Sequence, residues 1–304
     1  MKLFDLHCDT LYRAYMEKST LFNDNFHISF GKSGDIKPYM QCMAIWIPDG
    51  YRGENAENLF RGCVEKLHEQ LKDTNIIQCK TKSDLESVTD TGVILTVESG
   101  AALGGKLKNI AKYAELGVRM MTLTWNGTNE LGDGVGVENS QGLSEFGKMA
   151  VKELEKHKIV PDISHASERL FYDVAEIAEG PLVASHSNAK KLCSHKRNLS
   201  DEQFAIIKKS GGIVGLNFCV DFLNDHAKKS SMNDVLRMAE YFLSHGGEKC
   251  IAMGGDFDGA DVPGDLNGIE KMSDLYEMFL KHYSESVVED IFFSNAFEFF
   301  KKML

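Results

Sequence analysis

The sequence predicts an α/β protein with a TIM-like (β/α)8 barrel. Two observations carry this prediction. Eight short runs rich in apolar and β-branched residues alternate with longer segments of helical spacing, which is typical of parallel strands joined by helices. Acidic and imidazole side chains then recur at the ends of these runs, where the strands of such a barrel carry their functional residues. Eight parallel strands are the number that closes a TIM barrel.

The predicted strands occupy residues 2–8, 40–47, 93–97, 118–124, 159–163, 182–185, 212–218 and 251–255. Between them, apolar residues at three- and four-residue steps predict helices that pack on the barrel. The helix after the second strand has such a stripe, formed by Ala56, Leu59, Phe60, Cys63, Val64, Leu67 and Leu71. The last helix is predicted to begin at a capping box, Ser286 to Glu289. Its predicted buried stripe is Val288, Ile291, Phe292, Ala296, Phe299 and Phe300.

The composition is that of an ordinary globular protein. Of the 304 residues, 43% are hydrophobic and 26% are charged. No linker, low-complexity tract or repeat marks a boundary, so we expect a single domain over residues 1–304. No window has the length of a membrane span, and the first residues lack the apolar segment of an export signal, so we expect a cytoplasmic protein without membrane contact. The net charge of −11 argues against a nucleic-acid partner.

Two further features have structural interpretations. The seven cysteines are odd in number and widely spaced, without a Cys-x-x-Cys pair, so we expect reduced thiols in the core. Cys8 lies on the opposite strand face from its neighbours and should be packed. The glycine-rich stretch 127–136 lacks a following Gly-Lys-Ser/Thr, so we interpret it as a flexible loop over the barrel mouth rather than a phosphate site.

The candidate metal ligands come from five positions at strand ends. His7 and Asp9 are two residues apart, so their side chains point to the same face of a strand. Glu98, His165 and His186 end later strands of the same barrel. Five nitrogen and oxygen ligands exceed what one tetrahedral zinc needs, whereas two zinc ions that share a carboxylate would use all five. Glu98 is the natural bridge, and the set predicts a metallohydrolase.

The remaining histidines are weaker candidates. We interpret six of them as surface or packing residues: His27, His68, His157, His226, His245 and His282. His195 could help to shape the site but is a poor candidate ligand.

The motifs resemble those of the renal, or membrane, dipeptidase family of zinc peptidases over nearly the whole chain. These motifs are Asp5-Leu6-His7-Cys8-Asp9, Val97-Glu98-Ser99-Gly100, Ile163-Ser164-His165-Ala166-Ser167, Ser185-His186-Ser187 and Gly254-Gly255-Asp256-Phe257-Asp258-Gly259. The resemblance implies a TIM-like barrel, a binuclear zinc site, dipeptides as substrates and a possible homodimer. It makes His7 and Asp9 ligands of one zinc, His165 and His186 ligands of the other, and Glu98 the bridge.

The resemblance also implies roles for residues outside the ligand set. Asp256 becomes the acid/base, with Asp258 as a less favoured alternative. Arg197 matches the arginine that holds the terminal carboxylate of the substrate, a contact that suits the guanidinium fork. One position differs from the pattern of the family. The family carries a His that contacts substrate near the scissile bond, and this chain has Trp125 followed by Asn126 there. Trp125 could donate through its N–H, Asn126 could substitute, or the peptide specificity has shifted.

The predicted reaction is hydrolysis of a dipeptide by water held between two metal ions about 3.5–4 Å apart. Asp256 would relay the proton to the leaving amine. One alternative is another binuclear amidohydrolase that acts on a lactone, a cyclic amide or an N-acyl amino acid. Another is a metal-retaining binding protein without turnover.

Overall fold

Eight parallel strands close into a barrel in the computed structural model of the protein, which describes residues 1–226 and 229–304. Around the barrel the order is β1, β2, β4, β5, β6, β7, β8 and β9, and β9 pairs with β1 to complete the circle. The strands are β1 Leu3–Cys8, β2 Tyr39–Trp46, β3 Ile77–Gln78, β4 Thr91–Glu98, β5 Val118–Thr122, β6 Val160–Asp162, β7 Val183–Ala184, β8 Ile213–Leu216 and β9 Ile251–Met253.

The predicted fold class and all eight predicted strands are confirmed. The strand β3 was not predicted. It pairs with Gly92 and Val93 of β4, ahead of the point at which β5 joins that strand at Leu95. A strand of two residues offers no alternation to read from a sequence, and β3 lies outside the closed barrel.

Helices connect the strands and cover the outside of the barrel. They are α1 Thr10–Met16, α2 Gly53–Leu71, α3 Lys82–Ser87, α4 Lys108–Leu116, α5 Glu145–Lys156, α6 Glu168–Ile177, α7 Asp201–Lys209, α8 Val220–Leu223, α9 Met232–Ser244, α10 Met272–Leu280, α11 Glu285–Glu289 and α12 Asn295–Met303. The predicted stripe on α2 is buried except for Leu71, which is partly exposed at the end of the helix. None of the helices described in 1–226 and 229–304 combines the length and the apolar character needed to cross a bilayer.

The C-terminal helix differs from the prediction at its start. It begins after Ser284 without a side-chain cap, so the predicted capping box at Ser286 is wrong. A π-helical turn, Asp290–Ser294, separates α11 from α12. All six residues of the predicted stripe are nevertheless buried.

The barrel interior is filled by a cluster to which every barrel strand contributes at least one side chain, such as Phe4 and Ile94. Phe300 of α12 stacks on Phe4 with ring centroids 5.4 Å apart and closes one end of this cluster. Apolar interior packing leaves the opposite end of the barrel for polar side chains. The seven cysteines are free and buried, as expected. The single-domain organisation stays a prediction.

Candidate active site

A β-bulge aims the first two candidate ligands into the barrel mouth. Asp5 pairs with Gln41, but Cys8 pairs with Met43, so β1 has one residue more than β2 between these pairs. Bulges of this kind occur next to active sites, where they redirect a side chain. His7 and Asp9 therefore point into the mouth, whereas Cys8 packs in the apolar layer under the helices, as predicted.

The five candidate ligands converge at the carboxyl end of the barrel, and Glu98 lies between them. Its Oε1 is 2.8 Å from His165 Nε2 and 3.7 Å from His186 Nε2. Its Oε2 is 3.8 Å from His7 Nε2, which in turn is 3.3 Å from Asp9 Oδ2. One carboxylate thus faces both pairs of ligands, with one oxygen toward each pair. All five residues are buried.

Hydrogen bonds fix the tautomers of two imidazoles. His165 Nδ1 lies 2.9 Å from Asn126 Oδ1, which can only accept, so the ring proton is on Nδ1. His186 Nδ1 lies 2.7 Å from Ser185 Oγ, and the Ser185 hydroxyl donates to Asp162, so His186 Nδ1 also carries its proton. Both Nε2 atoms therefore present lone pairs, and they are 3.0 Å apart. Two lone pairs cannot bond to each other, but both can bind a cation.

The pKa shifts agree with this tautomer assignment. Burial, together with the positive charges of Arg197 and His7, lowers the pKa of His165 and of His186 well below the usual value. Both rings are therefore neutral, the state in which an imidazole can bind a metal ion. For His7, burial lowers the pKa, but the hydrogen bond with Asp9 and the charges of Asp9, Glu98 and Asp256 outweigh it and raise the pKa to about 10. In the metal-free protein a proton on His7 thus balances part of the carboxylate charge.

The site has the composition that a divalent cation requires. Asp9 Oδ1 is buried and has no hydrogen-bond partner among the described residues. Burial first, and then the charges of Asp9 and Asp256, raise the pKa of Glu98 well above its usual value, so a carboxylate at this position needs a cation to stay ionised. Within residues 1–226 and 229–304, two groups have ligand atoms within 4.8 Å of one another: His7, Glu98 and His186, and His7, Asp9 and Asp256. Imidazole and carboxylate donors of this kind fit zinc, and also manganese or cobalt.

Asp256 lies at the edge of the ligand set. Asn217 Nδ2 donates to its Oδ2 at 3.0 Å, and its Oδ1 is 3.8 Å from His7 Nε2. The backbone of Asp256 has a φ of +58°, and Ser99, His165 and Asp258 share this left-handed conformation with φ values of +86°, +65° and +66°. Such strained backbone outside glycine clusters at functional sites because only a rigid surrounding maintains it.

A cavity of about 540 Å³ opens in front of these residues, and Asp9, Glu98, His165 and Asp256 lie in its wall. Aromatic side chains form another part of the wall. The Trp46 ring packs edge-on against Tyr12 at 5.0 Å and against Trp125 at 4.9 Å, measured between centroids. The volume suits a small molecule in a site that is partly polar and partly aromatic.

Trp125 and Asn126 both line this cavity, but only Trp125 has its polar group free of the candidate ligands, because Asn126 is hydrogen-bonded to His165. The Trp125 ring is 6.1 Å from the ring of His165. The Asn126 carbonyl is occupied by the Nδ1–H of His165, so Asn126 orients a candidate ligand, which the sequence analysis missed. Its amide nitrogen is left for other contacts.

The glycine-rich loop 127–136 lies at the barrel mouth as predicted, but it is packed rather than flexible. Gly127 N donates to Asp49, and Asp133 accepts from Thr128. A side chain at Gly134 would overlap the backbone carbonyl of Trp125, so glycine is needed for this close approach.

Arg197 lies behind the ligand set rather than in the cavity wall. It is 6% exposed and stacks against Phe222, with the guanidinium carbon 5.4 Å from the ring centroid. Its two amino groups make only long hydrogen bonds, 3.5 Å to Ser187 Oγ and 3.3 Å to the His186 carbonyl. Its Nε is buried without a partner in the part of the chain that the structure describes. Burial lowers its pKa, while Asp256 and Glu98 raise it.

Sequence reasoning missed several residues that support the ligands. Asn217, at the end of β8, holds Asp256, and its position after a strand of a barrel could have indicated this role. Ser185 and Asp162 orient His186, but nothing in the sequence pairs them. His27, interpreted from the sequence as a surface or packing residue, accepts a hydrogen bond from the backbone N–H of Asp258 at 3.1 Å and so contacts the segment that carries Asp256.

The model of one protein family, membrane dipeptidase (peptidase family M19), matches residues 1–303. The chain belongs to this family. As a member it is a metal-dependent dipeptidase, a hydrolase that acts on peptide bonds.

Curated relatives include an uncharacterized protein from the pqqA 5′ region of Klebsiella pneumoniae, which is 31% identical over 71% of this chain and 85% of its own length. An uncharacterized dipeptidase of Schizosaccharomyces pombe is 28% identical over 72% of this chain, but the match spans only 56% of that protein.

Two crystal structures of related metallopeptidases superpose over almost the entire chain. One is the dipeptidase AC of the same family, with 26% identity, a TM-score of 0.89, and 98% of this chain and 97% of that chain covered. The other is a metallopeptidase from Rhodobacter sphaeroides bound to a phosphinate mimic of the dipeptide L-Ala-D-Ala, with 25% identity, a TM-score of 0.92, and 100% and 99% covered.

Proposed function

We propose that the protein is a binuclear zinc dipeptidase. His7 and Asp9 would hold one zinc ion, His165 and His186 would hold the other, and Glu98 would bridge the two. The observation that carries the proposal is the position of Glu98, whose Oε2 faces His7 and whose Oε1 faces His165 and His186. The hydrogen bonds that hold a proton on Nδ1 of His165 and of His186 support the proposal, because they leave both Nε2 atoms free to bind metal.

Two bound zinc ions would supply a water of lowered pKa and polarise the carbonyl of the scissile bond. The chain's own residues then handle the protons. Asp256 accepts the proton of the attacking water at Oδ1 and delivers it to the leaving amine. Asn217 donates to Oδ2 and so keeps Oδ1 available for the proton transfer. Without this proton the nitrogen of the scissile bond would have to leave as an anion, which is a very poor leaving group.

Arg197 is our candidate for the substrate's terminal carboxylate. Its long hydrogen bonds and unpartnered Nε leave the guanidinium with unused donor capacity, which a bidentate carboxylate would satisfy. Phe222 stacks on Arg197 and also lines the cavity, so the contact requires the Phe222 side chain to shift. The dipeptide mimic bound by the Rhodobacter sphaeroides relative supports a dipeptide as the ligand of this cavity.

Trp125 would contact the substrate near the scissile bond, either through its N–H or through its ring. An indole cannot carry a proton to or from the reaction, so this position contributes contact area and one hydrogen bond at most. A homodimer and a cytoplasmic location stay predictions.

The test is a panel of dipeptides assayed with the purified protein, with and without a chelator, alongside measurement of bound metal. We expect two zinc ions per chain, hydrolysis of dipeptides, loss of activity with the chelator and recovery on addition of zinc. The same panel includes lactones, cyclic amides and N-acyl amino acids. Turnover of one of these classes without turnover of dipeptides would overturn the proposal in favour of another amidohydrolase, and metal binding without any turnover would favour a binding protein.

A further inference from the structure

We propose that Asp258 is a positioning residue that fixes the loop carrying Asp256. This inference rests on the proposed function, in which Asp256 moves the proton. The two aspartates are separated by one residue in the segment that follows β9, but their surroundings are opposite. Both residues border the cavity, but the carboxylate of Asp256 lies beside the candidate ligands, whereas the side chain of Asp258 is completely buried and turned toward other partners.

The Asp258 carboxylate joins the Asp256 loop to two other parts of the chain, α1 and the segment that contains His27 and Ile28. Thr10 donates to its Oδ2 at 2.5 Å and Arg13 donates to its Oδ1 at 3.0 Å, both from α1. The backbone N–H groups of His27 and Ile28 donate at 2.8 Å and 3.2 Å. Four donors on one carboxylate use both oxygens, so Asp258 has no free oxygen for a proton transfer. It ties the Asp256 loop to the helix that follows Asp9.

The local backbone is one that an anchor helps to maintain. Asp256 and Asp258 both have positive φ, a left-handed conformation that is uncommon for residues other than glycine and that hydrogen bonds to neighbouring segments stabilise. The segment also continues the β1–β9 pairing, because Asp256 N donates to His7 O and Asp9 N donates to Phe257 O. The Asp258 anchor therefore acts on the same short segment that sets the distance between Asp256 and the ligands His7 and Asp9.

Arg13 extends this network to the cavity. Its guanidinium is held by Asp258 and by Glu17 Oε1 at 2.9 Å, and it lies 4.5 Å from the ring centroid of Phe26. Arg13 and Glu17 both line the cavity. Loss of the Asp258 carboxylate would therefore loosen the Asp256 loop directly. Through Arg13 it would also loosen the neighbouring part of the cavity wall.

The first test is Asp258→Asn, compared with Asp35→Asn as a matched control for the loss of one negative charge. Asp35 is exposed and lies in the same inter-strand segment as His27 and Ile28. We expect kcat of Asp258→Asn to fall about 10-fold to 100-fold, since displacement of a catalytic group by about 1 Å has effects of that size. We expect the KM and the bound zinc of Asp258→Asn to equal those of the wild type within about twofold, the precision of such assays. We expect the kcat of the control, Asp35→Asn, to equal the wild-type kcat within the same range. A kcat equal to that of the wild type would overturn the proposal.

The second test separates positioning from a general structural role. A residue that acts through Asp256 loses its effect when Asp256 is already disabled. We therefore expect Asp258→Asn to change kcat by less than about twofold in an Asp256→Asn background, whereas independent effects would multiply. A full additional loss in the double variant would contradict the positioning role. Full turnover in Asp256→Asn alone would instead contradict the proposed function and remove the basis of this inference with it.

Thr10→Val provides the same test if Asp258→Asn does not fold. It removes one donor and leaves the other three in place, so we expect a loss in kcat of roughly 3-fold to 10-fold. The loss should again disappear in the Asp256→Asn background. Wild-type kcat in Thr10→Val, or a loss of the same size in both backgrounds, would overturn the proposal.

Discussion

The hydrogen bond between Asn126 and His165 gives a prediction that depends on one pair of atoms. Asn126→Leu removes the acceptor of the His165 Nδ1 proton while keeping a side chain of similar size. The imidazole can then carry its proton on Nε2 instead, where it would donate to Glu98 Oε1, 2.8 Å away. A zinc ion at this position would have to break that new hydrogen bond before it could bind.

The expected effect follows from the geometry. The distance of 2.9 Å between His165 Nδ1 and Asn126 Oδ1 is that of a normal hydrogen bond, and His165 is buried. Loss of an outer-shell partner of a metal-binding histidine costs about 10-fold to 100-fold in metal affinity. We expect a value in this range for the zinc that His165 and His186 would share. The zinc held by His7 and Asp9 should keep its affinity within about threefold, since additivity errors are of that order.

Competition with a chromophoric chelator measures both affinities. Asn126→Asp is the matched control, because it keeps an oxygen acceptor near Nδ1 and should retain at least wild-type affinity. The thermal unfolding midpoint of each metal-free variant shows whether the fold is intact. Wild-type affinity at both zinc sites in a folded Asn126→Leu variant would refute the tautomer argument, and equal weakening at both sites would show that the effect is not local to His165.

Three further predictions concern catalysis, substrate binding and the core. Asp256→Asn should lower kcat about 10²-fold to 10⁴-fold in a steady-state dipeptide assay, and unchanged turnover would remove Asp256 from the reaction. Arg197→Met should raise KM about 10-fold to 100-fold for dipeptides with a free carboxylate and leave C-terminally amidated peptides unaffected, so equal losses on both would reject the carboxylate contact. Phe300→Ala should lower the free energy of unfolding by about 3–5 kcal/mol in urea titrations without changing kcat, because Phe300 fills the barrel end away from the site, and a change below about 1 kcal/mol would contradict that packing.

The barrel could be predicted because its strands are buried on both faces and therefore appear as apolar runs. The predicted run 93–97 corresponds to β4, and all residues of this strand are buried. The strand β3 and the π-helical turn before α12 could not be predicted in this way. Two residues have no periodicity, and the predicted stripe continues across the π turn, so nothing in the apolar pattern marks it.

The candidate site was predictable only in part. His7, Asp9 and Glu98 end apolar runs, so their convergence follows from the closure of the barrel. Asn126 and Asp258 form hydrogen bonds with partners that are distant in sequence, and Ser185, although next to His186, is oriented by the distant Asp162. The sequence does not show which donor meets which acceptor. Arg197 was named from its motif, but its packing against Phe222 depends on the position of α8, the short helix that follows β8.

The bridging position of Glu98 is the central claim, and anomalous diffraction at the zinc edge tests it most directly. Crystals grown with zinc should show two peaks on opposite sides of the Glu98 carboxylate, one in contact with His7 and Asp9 and the other in contact with His165 and His186. A single peak, or two peaks that leave Glu98 without a contact to either ion, would contradict the account.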